Sequence, residues 1–113
     1  MRGLVEGDIK AGLQNGGHLR SVFVVCRVVD DQLEHAAYIR TSWFDEYLPL
    51  RTYGHRSDRT YRDLDRLLEL LRLEFDYLGP ITLYASGDPL LGSFGSLAAD
   101  DCQPFVPPRK KAP

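Results

Sequence analysis

Four arginines and one histidine face a single acid in Arg51–Arg62, RTYGHRSDRTYR, with Tyr53 and Tyr61 interleaved. Guanidinium forks and free amides at a helix start can converge on a phosphate or carboxylate. Arg56, Arg59 and Arg62 are therefore the candidate anion or nucleic-acid ligands, and the two tyrosines are candidate stacking surfaces for bases. The competing reading is a solvated face that Asp58 and Asp63 neutralise locally, with Tyr61 turned into the core. Just upstream, Trp43, Phe44, Tyr47 and Tyr53 crowd around Leu48, Pro49 and Leu50, and Arg40 and Arg51 flank them. Interfaces favour Trp, Tyr and Arg. Trp43, Phe44, Tyr47, Arg51 and Tyr53 are thus the candidate partner-binding set; the alternative is that they cap the end of a sheet.

Catalytic sets are thin. His55, Ser57 and Asp58 are sequence neighbours, but a relay is made by spatial neighbours. His35 with Asp30 and Asp31 lacks a further ligand at metal spacing, and His18 beside Gly16-Gly17 reads as a loop residue. Gly87 and Gly92 have the gap of a phosphate loop without its Lys-Ser/Thr, and Gly92-Ser93-Phe94-Gly95 lacks the basic residues of a nucleic-acid clamp. No catalytic residue, metal site or cofactor is assigned. The tail Pro104-Phe105-Val106-Pro107-Pro108-Arg109 matches a proline-rich ligand pattern, and Arg109-Lys110-Lys111 adds a basic spot, but a solubilising terminus explains both.

The chain has 113 residues, 43% hydrophobic and 27% charged, with 14 basic and 16 acidic residues and a net charge of −2. That balance excludes a disordered chain, a duplex-coating basic protein and an acidic nucleic-acid mimic. Arginine supplies 11 of the 14 basic residues, which suggests a GC-rich bacterial genome. Two cysteines, Cys26 and Cys102, are too few for a disulfide scaffold and lack zinc-knuckle spacing, and no bridge between them is expected. Without a bilayer-length apolar run or a signal-like start, the expected location is the cytoplasm.

Ser21–Val29, SVFVVCRVV, is apolar on both alternating faces, which is the pattern of a central strand covered on each side. Asp30-Asp31-Gln32 turns the chain, and Leu33–Ile39 returns as a hairpin partner. Ser42 followed by Asp45 fits a short helix start carrying Trp43 and Tyr47, limited by Pro49. Ser57 or Asp58 is expected to cap a long helix running to about Tyr77, stopped by Gly79-Pro80. Its buried stripe would be Tyr61, Leu64, Leu68, Leu71, Phe75 and Leu78, widened by Leu67 and Leu70, opposite a lattice of charges. Pro80–Ala85 reads as a third strand with Ile81, Leu83 and Ala85 inward. Leu90, Leu91, Phe94 and Leu97 would then wrap the core without regular structure.

The expected fold is α+β: a small, mainly antiparallel three-stranded sheet, strand–strand–helix–strand, covered by one long amphipathic helix. An irregular N-terminal arm and a C-terminal tail would flank it. Residues 1–17 form the arm or a short helix, 18–101 the single domain and 102–113 the tail. The expected function is non-enzymatic: docking on another protein or on a second copy of the chain. Small proteins of this build serve as accessory or inhibitor proteins of phages and mobile elements, including those acting on host defence nucleases. Nucleic-acid binding through Arg51–Arg62 is the first alternative, and a small hydrolase or transferase using His55 or His35 the second.

Overall fold

A computed structural model describes residues 3–51, 60–95 and 97–108. The described residues form an α+β domain around a mixed five-stranded sheet. Strand β1 (Leu19–Val29) pairs antiparallel with β2 (Gln32–Thr41), from Val29↔Gln32 back to Leu19↔Thr41. Asp30 and Asp31, at φ 52° and 63°, form the two-residue turn. Two consecutive left-handed residues match the twist of a hairpin, and Asp tolerates that conformation better than most side chains.

Strand β3 (Phe44–Pro49) then pairs antiparallel with the far part of β2, where a short helix was expected. Ser42-Trp43 forms a tight turn, and Phe44, Tyr47 and Leu48 alternate between the faces of a strand. The two-residue strand β4 (Thr60–Tyr61) pairs with β2 at His35↔Tyr61 and Ala36↔Thr60. Strand β5 (Ile81–Ala85) runs parallel to β1, so the order is β3-β2-β1-β5, with β4 sharing the β2 edge. The mainly antiparallel three-stranded sheet is thereby corrected to five strands with one parallel pair.

The N-terminal arm is not irregular. Helix α1 (Glu6–Gln14) ends at Gly16, φ 89°, with Gly17 N–H donating to Gly12 O at 2.9 Å and Gly16 N–H to Leu13 O at 3.2 Å. This is the paired closure of a left-handed helix stop, and glycine takes that conformation without steric cost. Before the helix, Leu4 bridges to Leu50.

The long helix is also corrected. Helix α2 (Leu64–Glu69) starts at Asp63, whose side chain accepts from Asp65 N–H, and continues as a single π turn over Leu70–Glu74. The pair spans 11 residues. Tyr61 belongs to a strand, and the expected caps Ser57 and Asp58 lie outside the described residues. The π turn, marked by Phe75 N–H to Leu70 O at 3.0 Å, widens the helix. Leu70 and Leu71 are both buried with Leu67 and Phe75, while Leu73 is exposed and Leu68 only half-buried. Asp76, φ 54°, reverses the chain, and Leu78 is left 83% exposed. Arg72 donates to the carbonyls of Tyr77 at 3.0 Å and Gly79 at 2.6 Å, which fixes that reversal.

Both faces of the sheet are covered, as the doubly apolar β1 predicts. One face carries Val22, Val24, Ala37, Ile39 and Leu48 against Ile9 of α1, Leu67 of α2, Leu70 and Leu71 of the π turn, and Phe75 just after it. The other carries Phe23, Val25 and Tyr38 against Leu91, with Tyr47, Tyr84, Phe94 and Leu97 around them. Phe23 is the hub, stacked on Tyr38 at 5.0 Å and on Phe94 at 4.4 Å between centroids. Its cover is a 3₁₀ segment, Pro89–Phe94, followed by the short helix α3 (Ala99–Cys102). In β5, Leu83 is exposed rather than inward, and Tyr84 packs on the aromatic face instead.

Candidate docking surface

Trp43 stands at the β2–β3 turn, held there because Ser42 N–H donates to His18 O at 2.8 Å and Ser42 Oγ accepts from His18 N–H at 3.0 Å. Its indole lies across the end of α1. A Cβ at Gly12 would sit 2.3 Å from its Cη2, and one at Gly17 2.5 Å from its Cε3. Only glycine at both positions leaves room for the ring. The ring is fixed from below, yet the residue remains 42% exposed. A tryptophan packed on one side and half exposed on the other is a side chain suited to anchoring a contact.

The remaining members of the sequence-derived set do not form one patch with it. Phe44 packs on the helix-covered face. Tyr47 turns to the aromatic face, tilted on Phe23 at 4.9 Å, with its hydroxyl hydrogen-bonded to Ser21 Oγ at 2.6 Å. Arg51 continues the chain beside the N-terminal segment, its N–H donating to Leu4 O at 2.7 Å, and its stem fills the space a Cβ at Gly3 would need. Tyr53 lies outside the described residues.

Two residues beyond Trp43, Asp45 joins Arg40 at 2.6 Å and Arg20 at 3.4 Å across three strands. The Arg40 guanidinium holds the Asp45 carboxyl below the usual carboxylate range, and Asp45 in turn raises Arg40. All three sit at the solvent surface.

Of the arginine cluster, Arg56 and Arg59 lie outside the described residues with His55. Arg62 is exposed and pairs with Glu34 at 3.5 Å, where Glu34 also accepts from Thr60 Oγ1 at 2.7 Å. His35 is buried, with Nδ1 2.8 Å from Tyr61 O, so it secures β4 and does not join Asp30 or Asp31. Among the described residues no group of His, Cys, Asp and Glu could hold a metal, and both cysteines are free thiols. Burial raises the Cys26 thiol above its usual pKa.

A polar cluster that the sequence reading missed lies on the aromatic face. Arg27 and Asp101 are 5% and 0% exposed, paired through Nε and Oδ1 at 3.1 Å, with Asp100 reaching the same guanidinium at 3.2 Å. The Tyr38 hydroxyl donates to Asp101 and accepts from Ala98 N–H at 3.1 Å. Asp101 O takes the Gly87 N–H at 2.8 Å. An arginine inside the apolar run of β1 signals that some carboxylate must reach it. A cleft of about 410 Å³ opens beside Arg27, lined by Val28, Asp31, Ser86, Asp100 and Pro104 among others. Its guanidinium is already occupied by two carboxylates, so the cluster clamps the C-terminal segment to the sheet and leaves no charge for a ligand.

Comparison with protein-family models, curated proteins and solved structures finds no match. Among the described residues no helix is long and apolar enough to cross a membrane.

Proposed function

We propose that this chain is a non-enzymatic binding protein that docks on another protein through the turn carrying Trp43. The observation that supports this reading is the indole itself, seated on Gly12 and Gly17 and nearly half exposed. A ring needed only for the core would be buried as Phe23 and Tyr38 are. Asp45, Arg40 and Arg20 supply a polar rim next to it, and rims of this kind set orientation more than affinity.

The test is affinity capture from cell extract with immobilised wild-type chain and with Trp43→Ala, each with and without nuclease treatment. The reading expects one protein recovered by the wild type in both treatments and lost with Trp43→Ala, while the variant melts within a few degrees of the wild type. Equal recovery by the variant, or recovery abolished by nuclease, would overturn it; the second result would turn attention to Arg51–Arg62.

A further inference from the structure

β5 is the last strand in the order β3-β2-β1-β5, and among the described residues nothing pairs with its outer side. Its hydrogen-bonding parity follows from the ladder. Ser86 N–H donates to Cys26 O at 2.9 Å, at the end of a register that runs from Val22↔Ile81 to Cys26↔Ala85. In a parallel pair alternate residues bond to the neighbour. Thr82, Tyr84 and Ser86 therefore direct their peptide groups to β1, and Ile81, Leu83 and Ala85 direct theirs outward.

Exposed edges are usually blunted by charge, by proline or by a covering segment. The β3 edge has all three: Asp45 and Glu46, Pro49, and the N-terminal segment, whose Leu4 N–H donates to Pro49 O at 2.9 Å. Among the described residues β5 has none of them. Its sequence ITLYA is uncharged, proline occurs only before it, at Pro80, and Leu83 is 53% exposed.

We propose that β5 pairs antiparallel with β5 of a second copy of this chain, about a two-fold axis at Leu83, joining the two sheets into one. This surface is separate from the Trp43 turn and does not depend on it. The strand is its own complement. In that register Leu83 opposes Leu83, Ile81 opposes Ala85, and every outward-facing peptide meets an outward-facing one. Thr82 opposes Tyr84, no charge faces a like charge, and the two exposed leucines cover each other. A five-residue edge buries less than a standard interface, so the dimer is weak and reversible.

Sedimentation velocity across a concentration series, up to about 1 mM, tests this, given that weak edge pairing corresponds to micromolar-to-millimolar dissociation. The wild type is expected to shift from monomer to dimer. Leu83→Lys, which sets two like charges opposite each other at the axis, should weaken the dimer by about tenfold or more while leaving the thermal transition in place. Should Leu83→Lys disturb folding, Ala85→Lys, which sets a charge opposite Ile81 at each end of the pair, is expected to weaken the dimer to a smaller extent. A wild type that stays monomeric throughout, or a dimer that survives the lysine variants unchanged, would overturn the proposal.

Discussion

The two edges of the sheet are built to opposite ends. At the β3 edge, Asp45 and Glu46 place charge on the strand, Pro49 removes a donor, and the segment through Leu4 brackets the exit. At the β5 edge an uncharged strand presents three outward peptide units and an uncovered leucine. Both strands flank the same β1–β2 hairpin, so the difference lies in the edge residues and not in the stability of the scaffold behind them. One edge is closed to further strands and displays a tryptophan at its turn. The other retains the chemistry that another strand satisfies.

The largest effect that sharpens this contrast is expected at Asp101, because its backbone holds Gly87 immediately after β5 while its side chain neutralises Arg27. Removing Asp101 leaves the buried guanidinium with only the exposed Asp100 and takes the acceptor from the Tyr38 hydroxyl, at a cost of about 3–5 kcal/mol. Asp101→Ala should therefore lower the denaturant midpoint by that equivalent, and amide exchange should rise at β5 before it rises at β3. An unchanged midpoint would show that the clamp does not secure the β5 side.

A smaller loss is expected under the helix-covered face. Leu67→Ala empties a fully buried site and should cost about 2–5 kcal/mol in chemical denaturation, whereas the half-buried Leu68→Ala should cost much less. Equal losses would place the helix in the register that periodicity alone predicts.

The smallest effect concerns acid and should appear only at the β3 edge. Asp45 has its pKa lowered by Arg40, so its contribution is present above the ordinary carboxylate value and is lost as pH falls through the lower, folded value. Side-chain NMR titration should give Asp45 a midpoint below that of an unpaired aspartate. The β3 resonances should move with it and the uncharged β5 should not. A normal midpoint would mean the arginines do not hold it in solution.

How much of this was legible in the sequence follows from the kind of physics involved. The apolar alternation on both sides of β1 reports burial, which is non-directional, and it correctly marks a central strand. The leucine spacing finds the helix-covered face but misplaces the register: a straight period extends through Tyr61 and Leu78, whereas Asp63 starts the helix late, a π turn shifts the phase, and Asp76 ends it early. Alternation in ITLYA identifies a strand, yet it cannot say which side another element covers, so it predicts Leu83 inward where the fold leaves it exposed. The Trp43 turn read as a helix start because Ser42 and Asp45 fit a cap equally well. Arg27 and Asp101 meet across 74 positions, and no local pattern encodes such a pair. Of the partner-binding set, Trp43 remains at the surface, while Phe44 and Tyr47 separate to opposite faces, as the two-residue period of a strand requires.

Amide hydrogen exchange in β5, resolved residue by residue at low and at high protein concentration, addresses the open edge most directly. Thr82 and Tyr84 should be protected at both concentrations by β1, while Ile81, Leu83 and Ala85 should exchange freely when dilute and become protected when concentrated. Protection of all five at every concentration, or free exchange of the odd-numbered three at every concentration, would contradict a β5 edge that a second copy completes.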